Sequence, residues 1–327
     1  LMKLKAMALL GGLLLTATLT AQTLTDVINE FNEGVSKVNN QEYDAALEHF
    51  NQVLTLAETV GAEAEEMKGK AQEQIPQAYY RQATLFLKRK QFDNAIPYLE
   101  NTIQSSSEFE NNAEIQGKAT RYLMQSYMRE GQRNLKNQNY EAALEMYDKA
   151  LAMNENLYQA NLGKGMVYLA EDESDQMMEE FAKAKEGAIA KDDTKTITLI
   201  NSKIDGYYNR FITEEMEMVD PEELDYSYVV EACENALAAN PSNPRALYHL
   251  ALISNKNVEY DAAIEYANKA LESETEAVWL SAIYFELGSA YQNTVEYDKA
   301  CEALKNVAEE PFLTRAEKKI SSVPGCN

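Results

Sequence analysis

The side chains that most often carry metal-binding or nucleophilic chemistry are sparse in this chain, which has two histidines and three cysteines among 327 residues. His49 and His249 are far apart, and neither has a Cys or carboxylate at the spacing of a metal-binding motif. The glycine patterns of P-loops, dinucleotide-binding turns and nucleophile elbows are missing from the sequence. We therefore predict no catalytic residue, no metal site and no cofactor.

The strongest pattern is a repeat in which an aromatic residue is followed three, seven and ten residues later by small or apolar ones. The clearest copies are Tyr140-Ala143-Tyr147-Ala150, Tyr43-Ala46-Phe50-Val53 and Tyr260-Ala263-Ala267-Ala270. A small residue stands nine positions before most of these anchors, as Gly34, Ala83, Gly131, Gly165, Ala251 and Gly288 do. This spacing predicts pairs of helices that must stack on one another to bury their apolar faces.

The anchors are unevenly spaced. Successive anchors are Tyr43, Phe92, Tyr140, Ser174, Tyr226, Tyr260 and Tyr297, so three of the units are longer than the others. The extra residues, about 15 each time, precede a first helix and are compatible with helix rather than linker. We expect lengthened first helices in these units, with Pro76 either kinking one of them or starting a new helix.

This unit, with its small residue and its aromatic and alanine at fixed spacing, resembles the tetratricopeptide repeat. The unequal spacings, together with the signal peptide expected at residues 1–21, resemble those of exported bacterial members of the family, of the periplasmic, Bacteroidetes-like kind. The resemblance implies an all-α, right-handed solenoid of about seven helical hairpins. The solenoid would span residues 26–309, and a C-terminal capping helix and tail would span residues 312–327.

The resemblance also implies a function, because such proteins commonly hold a protein or peptide in the concave groove lined by their first helices. The stripe expected to face this groove includes Tyr80, Leu87, Leu162, Met166, Tyr248 and Phe285. A second interpretation is that several of these side chains pack against neighbouring helices. The chain would then be a non-catalytic scaffold or adaptor. The alternative is a structural homo-oligomer or envelope-complex subunit that assembles through the lengthened helices. An enzyme would need a preorganised polar pocket that the repeat does not indicate.

The charge balance narrows the class of partner. With 53 acidic and 30 basic residues the formal charge is −23, which disfavours nucleic acid and anionic membrane surfaces. Acidic side chains either coat solvated helix faces or form a patch that attracts a basic partner.

The first 21 residues read as a secretory signal peptide. Lys3 and Lys5 precede a short apolar run, and the run ends at the small-residue site Leu19-Thr20-Ala21, with cleavage expected after Ala21. A permanent membrane anchor is the other interpretation, but it needs about 20 apolar residues. We expect cleavage without lipid attachment, no direct membrane insertion of the mature chain, and a periplasmic or secreted location.

The cysteines would then lie in an oxidising compartment. Cys233 replaces a large core residue of the repeat, which predicts a buried free thiol. Cys301 takes a slot that should face the closing helix, and Cys326 follows that helix. We hypothesise a disulfide between Cys301 and Cys326, with a free thiol in the tail as the alternative.

Overall fold

The computed structural model describes residues 22–219 and 225–326. Within these ranges the chain forms fifteen α-helices and no strand, which confirms the predicted all-α solenoid of helical hairpins. The predicted signal peptide, residues 1–21, lies outside the described residues. The contacts divide the chain into two compact units, which meet between Arg133 and Asn134.

The helices of the first unit are α1 (Leu24–Asn39), α2 (Tyr43–Val60), α3 (Glu65–Lys88), α4 (Phe92–Glu108) and α5 (Ala113–Lys136), with a 3₁₀ turn at Ala62–Ala64. Residues 134–136, the end of α5, are assigned to the second unit. The remaining helices are α6 (Tyr140–Met153), α7 (Tyr158–Glu171), α8 (Ser174–Ile189), α9 (Thr194–Met218), α10 (Ser227–Ala239), α11 (Pro244–Lys256), α12 (Tyr260–Leu271), α13 (Ala277–Asn293), α14 (Tyr297–Lys305) and α15 (Phe312–Ile320). Within the units the helices pack in chain order as the hairpins α1–α2, α3–α4, α7–α8, α9–α10, α11–α12 and α13–α14, and α15 packs against the last of them.

In the first unit, α1 begins with a reciprocal cap in which the Asp26 carboxylate accepts hydrogen bonds from the backbone N–H and the hydroxyl of Thr23, both at 2.8 Å. Val27 and Phe50 are completely buried between α1 and α2. The two helices can approach closely because Gly34 lacks a side chain: a Cβ there would lie 2.7 Å from a ring carbon of Phe50. The small residue of the repeat thus leaves room between the two helices, and the aromatic side chain of the second helix fills it.

The lengthened first helices are present in the structure. Helices α3 and α5 have 24 residues each and α9 has 25, compared with 14 for α7 and 13 for α11. Pro76 lies inside a continuous α3 and is buried, so of the two possibilities left open at this proline it does not start a new helix. Proline removes only one backbone donor, and burial of the neighbouring Ile75 and Ala78 stabilises the uninterrupted helix.

The second unit repeats the same packing. A Cβ on Gly165 of α7 would lie 2.4 Å from Phe181 of α8, and one on Gly163 would lie 2.3 Å from Tyr147 of α6. Helix α8 begins at Ser174, and α10 begins one residue after Tyr226, so both anchors lie at the start of the second helix of their hairpin. No helix in the described ranges has both the length and the apolarity needed to cross a bilayer.

Cys233 is a buried free thiol, as predicted. Burial raises the pKa of this thiol to about 12, which leaves it protonated and unreactive at neutral pH. It packs with Ile212, Val229 and Leu250, and so it fills the place of a large core residue. The residue is therefore part of the core of the α9–α11 region.

Candidate functional site

Two of the six predicted groove residues lie on α3 in the first unit. Tyr80 and Leu87 are both half-buried, so each keeps part of its side chain available to a partner. The Tyr80 ring lies 6.4 Å, centroid to centroid, from the ring of Tyr122 on α5, and Tyr122 is 38% exposed. Partial burial, and secondarily the Tyr122 hydroxyl, raise the pKa of Tyr80, so the Tyr80 phenol stays neutral at physiological pH. These two rings form an aromatic surface on neighbouring first helices.

Two more predicted residues, Leu162 and Met166, lie on α7 in the second unit. Both are half-buried and pack against the core cluster that contains Met177 and Phe181 of α8 and Ile200 of α9. Their outer faces add apolar surface to this first helix.

The structure corrects the prediction for the remaining pair. Tyr248 on α11 and Phe285 on α13 were expected on an exposed stripe, but each is only 7% exposed. Trp279 packs edge-on against Tyr248 at 5.4 Å, and Phe312 of the closing helix covers Phe285 at 6.1 Å. The physical reason is that the next first helix and α15 lie over these rings, so the interpretation of packing against neighbouring helices holds here.

Ion pairs and a cation–π contact of Arg245 hold the Trp279 ring that packs against Tyr248. The Arg245 guanidinium carbon lies 3.9 Å from the Trp279 ring centroid. Arg245 also donates to the buried Glu274 carboxylate at 3.0 Å and pairs with Glu276 at 2.9 Å. These three contacts of Arg245 therefore hold the Trp279 ring in place against Tyr248.

Two further titratable groups, His249 and Glu286, are buried near Tyr248. His249 is almost completely buried, its Nδ1 has no hydrogen-bond partner, and burial lowers its pKa to about 4. Glu286 on α13 accepts a hydrogen bond from the Asn255 amide at 2.8 Å, and burial raises the pKa of its carboxyl. Tyr248, His249 and Glu286 are all shielded from solvent, so a substrate cannot reach them in this arrangement.

The other histidine has a nearby acid. The Nδ1 atom of His49 lies 2.7 Å from a carboxylate oxygen of Glu30, and both side chains are partly exposed. A two-residue pair does not make a metal site, and the described residues contain no group of three or more His, Cys, Asp or Glu that could hold an ion. This pair joins α1 to α2.

At the C-terminal end, Cys301 of α14 and Cys326 are joined in a disulfide, with Cα atoms 5.4 Å apart. Cys326 is buried with Val323 and Ala316 against the last hairpin. Arg315 of α15 lies over the Phe285 ring at 4.4 Å, and so the closing helix contributes both apolar and cationic cover. The disulfide holds the end of the tail beside α14.

The repeat pattern did not single out Trp279, Arg245 or Glu286. All three lie at positions where the spacing has no fixed residue type. One available signal was Trp279 itself, the only tryptophan of the chain, in the first turn of a helix. Its partner Arg245 lies 34 residues earlier, in the first turn of α11, the first helix of the preceding hairpin.

The comparisons with known proteins identify repeat sequences in parts of this chain. Residues 128–190 and 230–277 match a tetratricopeptide repeat family model, and residues 77–107 match a second one. These segments carry tetratricopeptide repeats, and repeats of this kind typically mediate protein–protein interaction. No curated protein shows significant similarity to the chain in sequence.

Solved structures with a similar arrangement include three repeat proteins. The TPR2AB-domain:pHSP90 complex of yeast Sti1 is 15% identical, covers 91% of this chain and 97% of its own, and has a TM-score of 0.36. The C-terminal part of a TPR repeat-containing protein from Cytophaga hutchinsonii is 16% identical over 88% and 98%, with a TM-score of 0.34. A tetratricopeptide repeat protein from Parabacteroides merdae is 11% identical over 89% and 97%, with a TM-score of 0.27. TM-scores this low support no argument about partners.

Proposed function

We propose that this chain is an exported, non-catalytic scaffold or adaptor that binds a protein or peptide along the concave face lined by its first helices. Tetratricopeptide repeats typically mediate protein–protein interaction, and the matched segments include the second half of α3 and all of α7 and α11. The burial of Tyr248 and Phe285 restricts the proposed surface to the first helices that remain partly open.

The observation that carries the proposal is the Tyr80–Tyr122 pair. Two aromatic rings on adjacent first helices remain partly exposed. Exposed aromatic rings on a rigid element are the side chains that most often supply binding energy at protein interfaces. Leu87, about two helical turns further along α3, extends this surface.

Two features support export. Lys3 and Lys5 precede an apolar run that ends at a small-residue cleavage site. The disulfide between Cys301 and Cys326 suits an oxidising compartment such as the periplasm or the exterior of the cell.

The test is to capture partners from the native source with the full mature chain and with a Tyr80→Ala, Tyr122→Ala double variant. We expect the double variant to lose most of the captured partner, while circular dichroism shows the same helicity. A matched variant, Tyr80→Phe with Tyr122→Phe, keeps both rings and should retain the partner. Equal capture by all three proteins, or loss of helicity in the alanine variant, would count against this surface.

The second candidate is a structural homo-oligomer or envelope-complex subunit that assembles through the lengthened helices. It is favoured by Leu199, which is 42% exposed in the first half of α9, and by Ile189 at the end of α8, which is 57% exposed. Light scattering at micromolar concentration separates the two candidates. A scaffold awaiting its partner is monomeric, whereas an assembly subunit is oligomeric and becomes smaller when Leu199 is changed to Ser.

A further inference from the structure

A groove lined by aromatic rings lies among α8, α9 and α10 in the second unit. Its volume is about 310 Å³. Three of its rings come from the lengthened helix α9 and one from α10: Tyr207, Tyr208, Phe211 and Tyr228. Tyr207 and Tyr208 meet edge to face with centroids 5.3 Å apart, so they form one corner of the groove.

This aromatic surface is open to solvent. Tyr228 is 68% exposed and Phe211 is 39% exposed, although both are large side chains that would lower the free energy by burial. Exposed clusters of large aromatic residues on a folded domain mark interaction surfaces. The repeat does not require them, because the core beside them is already closed by Ile204 and Ile212.

The charges in the groove are all negative. Asp175, in the first turn of α8, and Glu231, one turn after Tyr228 on α10, line it, and the other two lining side chains are a serine and an asparagine. Asp175 is close enough to the Tyr208 hydroxyl to help raise its pKa, after the larger effects of burial and of Tyr207. The groove therefore combines ring faces with carboxylates, and the described residues that line it include no basic side chain.

A basic side chain beside the groove has a partner of its own. Arg210 pairs with Asp172 at 2.7 Å, and its guanidinium carbon lies 5.6 Å from the Tyr207 ring centroid. This contact illustrates the affinity of these rings for a cation. Arg210 is not among the described residues that line the groove with Asp175 and Glu231.

We propose that this groove binds a basic segment of a partner protein, with a lysine or arginine side chain lying on the rings and its charged group directed to Asp175 and Glu231. Aromatic faces attract cations, and the attraction increases where the site is partly desolvated. The two carboxylates add charge complementarity, and the charge of −23 on the whole chain favours the approach of a basic partner.

This surface differs from the one in the proposed function, because it is built from α8, α9 and α10 and contains none of the six residues predicted for the first-helix stripe. A second copy of the chain is the other conceivable occupant. Its high negative charge makes it a poor match for a groove lined by carboxylates.

The probe for the test is an acetylated and amidated hexapeptide of alternating lysine and alanine, titrated by calorimetry into the full mature chain. We expect saturable binding at low ionic strength that weakens at about 0.15 M salt. A peptide with glutamate in place of lysine should not bind. Absence of saturable binding of the lysine peptide overturns the proposal.

Variants then distinguish binding in the groove from general electrostatic attraction to the negatively charged protein. Tyr228→Ala and Phe211→Ala should each weaken binding about fivefold, whereas Tyr228→Phe keeps the ring and the affinity. Asp175→Asn with Glu231→Gln should weaken binding about tenfold at low ionic strength. The matched control, Glu302→Gln with Glu317→Gln, makes the same charge change at exposed positions on α14 and α15 and should alter binding less than about twofold.

Two results would overturn the proposal. An equal loss in the groove variants and in the control pair would assign the binding to net charge alone. Self-association of the chain that disappears in Tyr228→Ala would make a second copy the occupant. The Tyr80→Ala, Tyr122→Ala variant should bind the peptide normally, so failure of the first-helix surface and failure of this groove give different results.

Discussion

The glycines of the first helices set how closely each hairpin closes. Gly165 faces the Phe181 ring, which is completely buried, whereas Gly206 in the middle of α9 has no atom within 4 Å of where its Cβ would be. Packing at Gly165 requires that the residue have no side chain. Packing at Gly206 does not, because there is space for a methyl group.

We expect Gly165→Ala to lower the free energy of unfolding by about 1 to 3 kcal/mol, because Phe181 must shift in a packed core. Gly206→Ala should instead raise it by about 0.5 to 1 kcal/mol, since alanine restricts the unfolded chain and favours helix. Urea unfolding followed by circular dichroism measures both. Equal effects of the two substitutions would contradict the packing described for α7 and α8.

His249 couples stability to pH. Burial, and then Arg245, lower its pKa from 6.5 to about 4. As the pH falls below 6.5 the unfolded chain takes up a proton that the folded chain refuses until about pH 4. The histidine therefore stabilises the fold above pH 6.5, and this contribution is lost as the pH falls toward 4.

The prediction concerns the difference between wild type and His249→Phe, which removes the titrating group and the unpartnered Nδ1. The stability of the variant relative to wild type should rise by up to about 3 kcal/mol between pH 7 and pH 4. Taking the difference cancels the opposite trend of Glu286, whose raised pKa favours folding as the pH falls. Urea titrations at a series of pH values measure it, and parallel curves for the two proteins would contradict it.

At the scale of elements, the closing helix α15 shows how a short segment becomes ordered. A helix of nine residues is marginal by itself in water. Here Phe312 packs on Phe285, Ala316 is buried, and the disulfide fixes Cys326 to α14. The hydroxyl of Ser281 accepts hydrogen bonds from the backbone N–H groups of Ala308 and Glu309, which positions the chain entering α15.

We expect Cys301→Ala with Cys326→Ala to destabilise the last hairpin by about 2 to 4 kcal/mol, because the disulfide closes a loop with a sequence separation of 25. Limited proteolysis should then cut first between residues 312 and 326. Treating the wild-type chain with a reducing agent should give the same cleavage pattern. Unchanged protease resistance in the variant would show that packing alone holds α15.

For the whole molecule, helices that are consecutive in the chain make most of the contacts, and these contacts divide the chain into two compact units. In such stacks a local change in stability spreads mainly to adjacent repeats. Stability is therefore distributed along the chain, and each unit buries its own core.

Hydrogen exchange can test whether a local loss of stability in the first unit spreads mainly to adjacent repeats. Gly34→Ala brings a Cβ within 2.7 Å of Phe50 and should reduce amide protection in α1, α2 and the neighbouring part of α3. Protection in α11 and α13 of the second unit should stay the same. Gly69→Ala, on α3 with open space around it, is the control and should not reduce protection. Loss of protection throughout the chain would mean one cooperative unit.

The sequence was sufficient for the hairpins because helical period and close packing are local properties. Spacing alone placed the start of α8 at Ser174 and predicted the three lengthened helices. It also indicated that Cys301 faces the closing helix, since equivalent positions in other repeats are apolar.

The candidate site was predicted only in part. Tyr80, Leu87, Leu162 and Met166 remain half-buried, whereas Tyr248 and Phe285 are covered. The cover comes from Trp279 and Phe312, each on a different helix from the ring that it shields. Periodicity tells which residues of a helix share a face, but not which neighbour lies on that face.

The amino-acid sequence by itself determined the all-α architecture, the order of the helices and the acidic net charge. Only the tertiary structure decided which apolar side chains stay open, and it brought Tyr207, Phe211 and Tyr228 together beside Asp175 and Glu231. Helix formation depends on neighbours a few residues apart, whereas exposure depends on packing between helices distant in sequence.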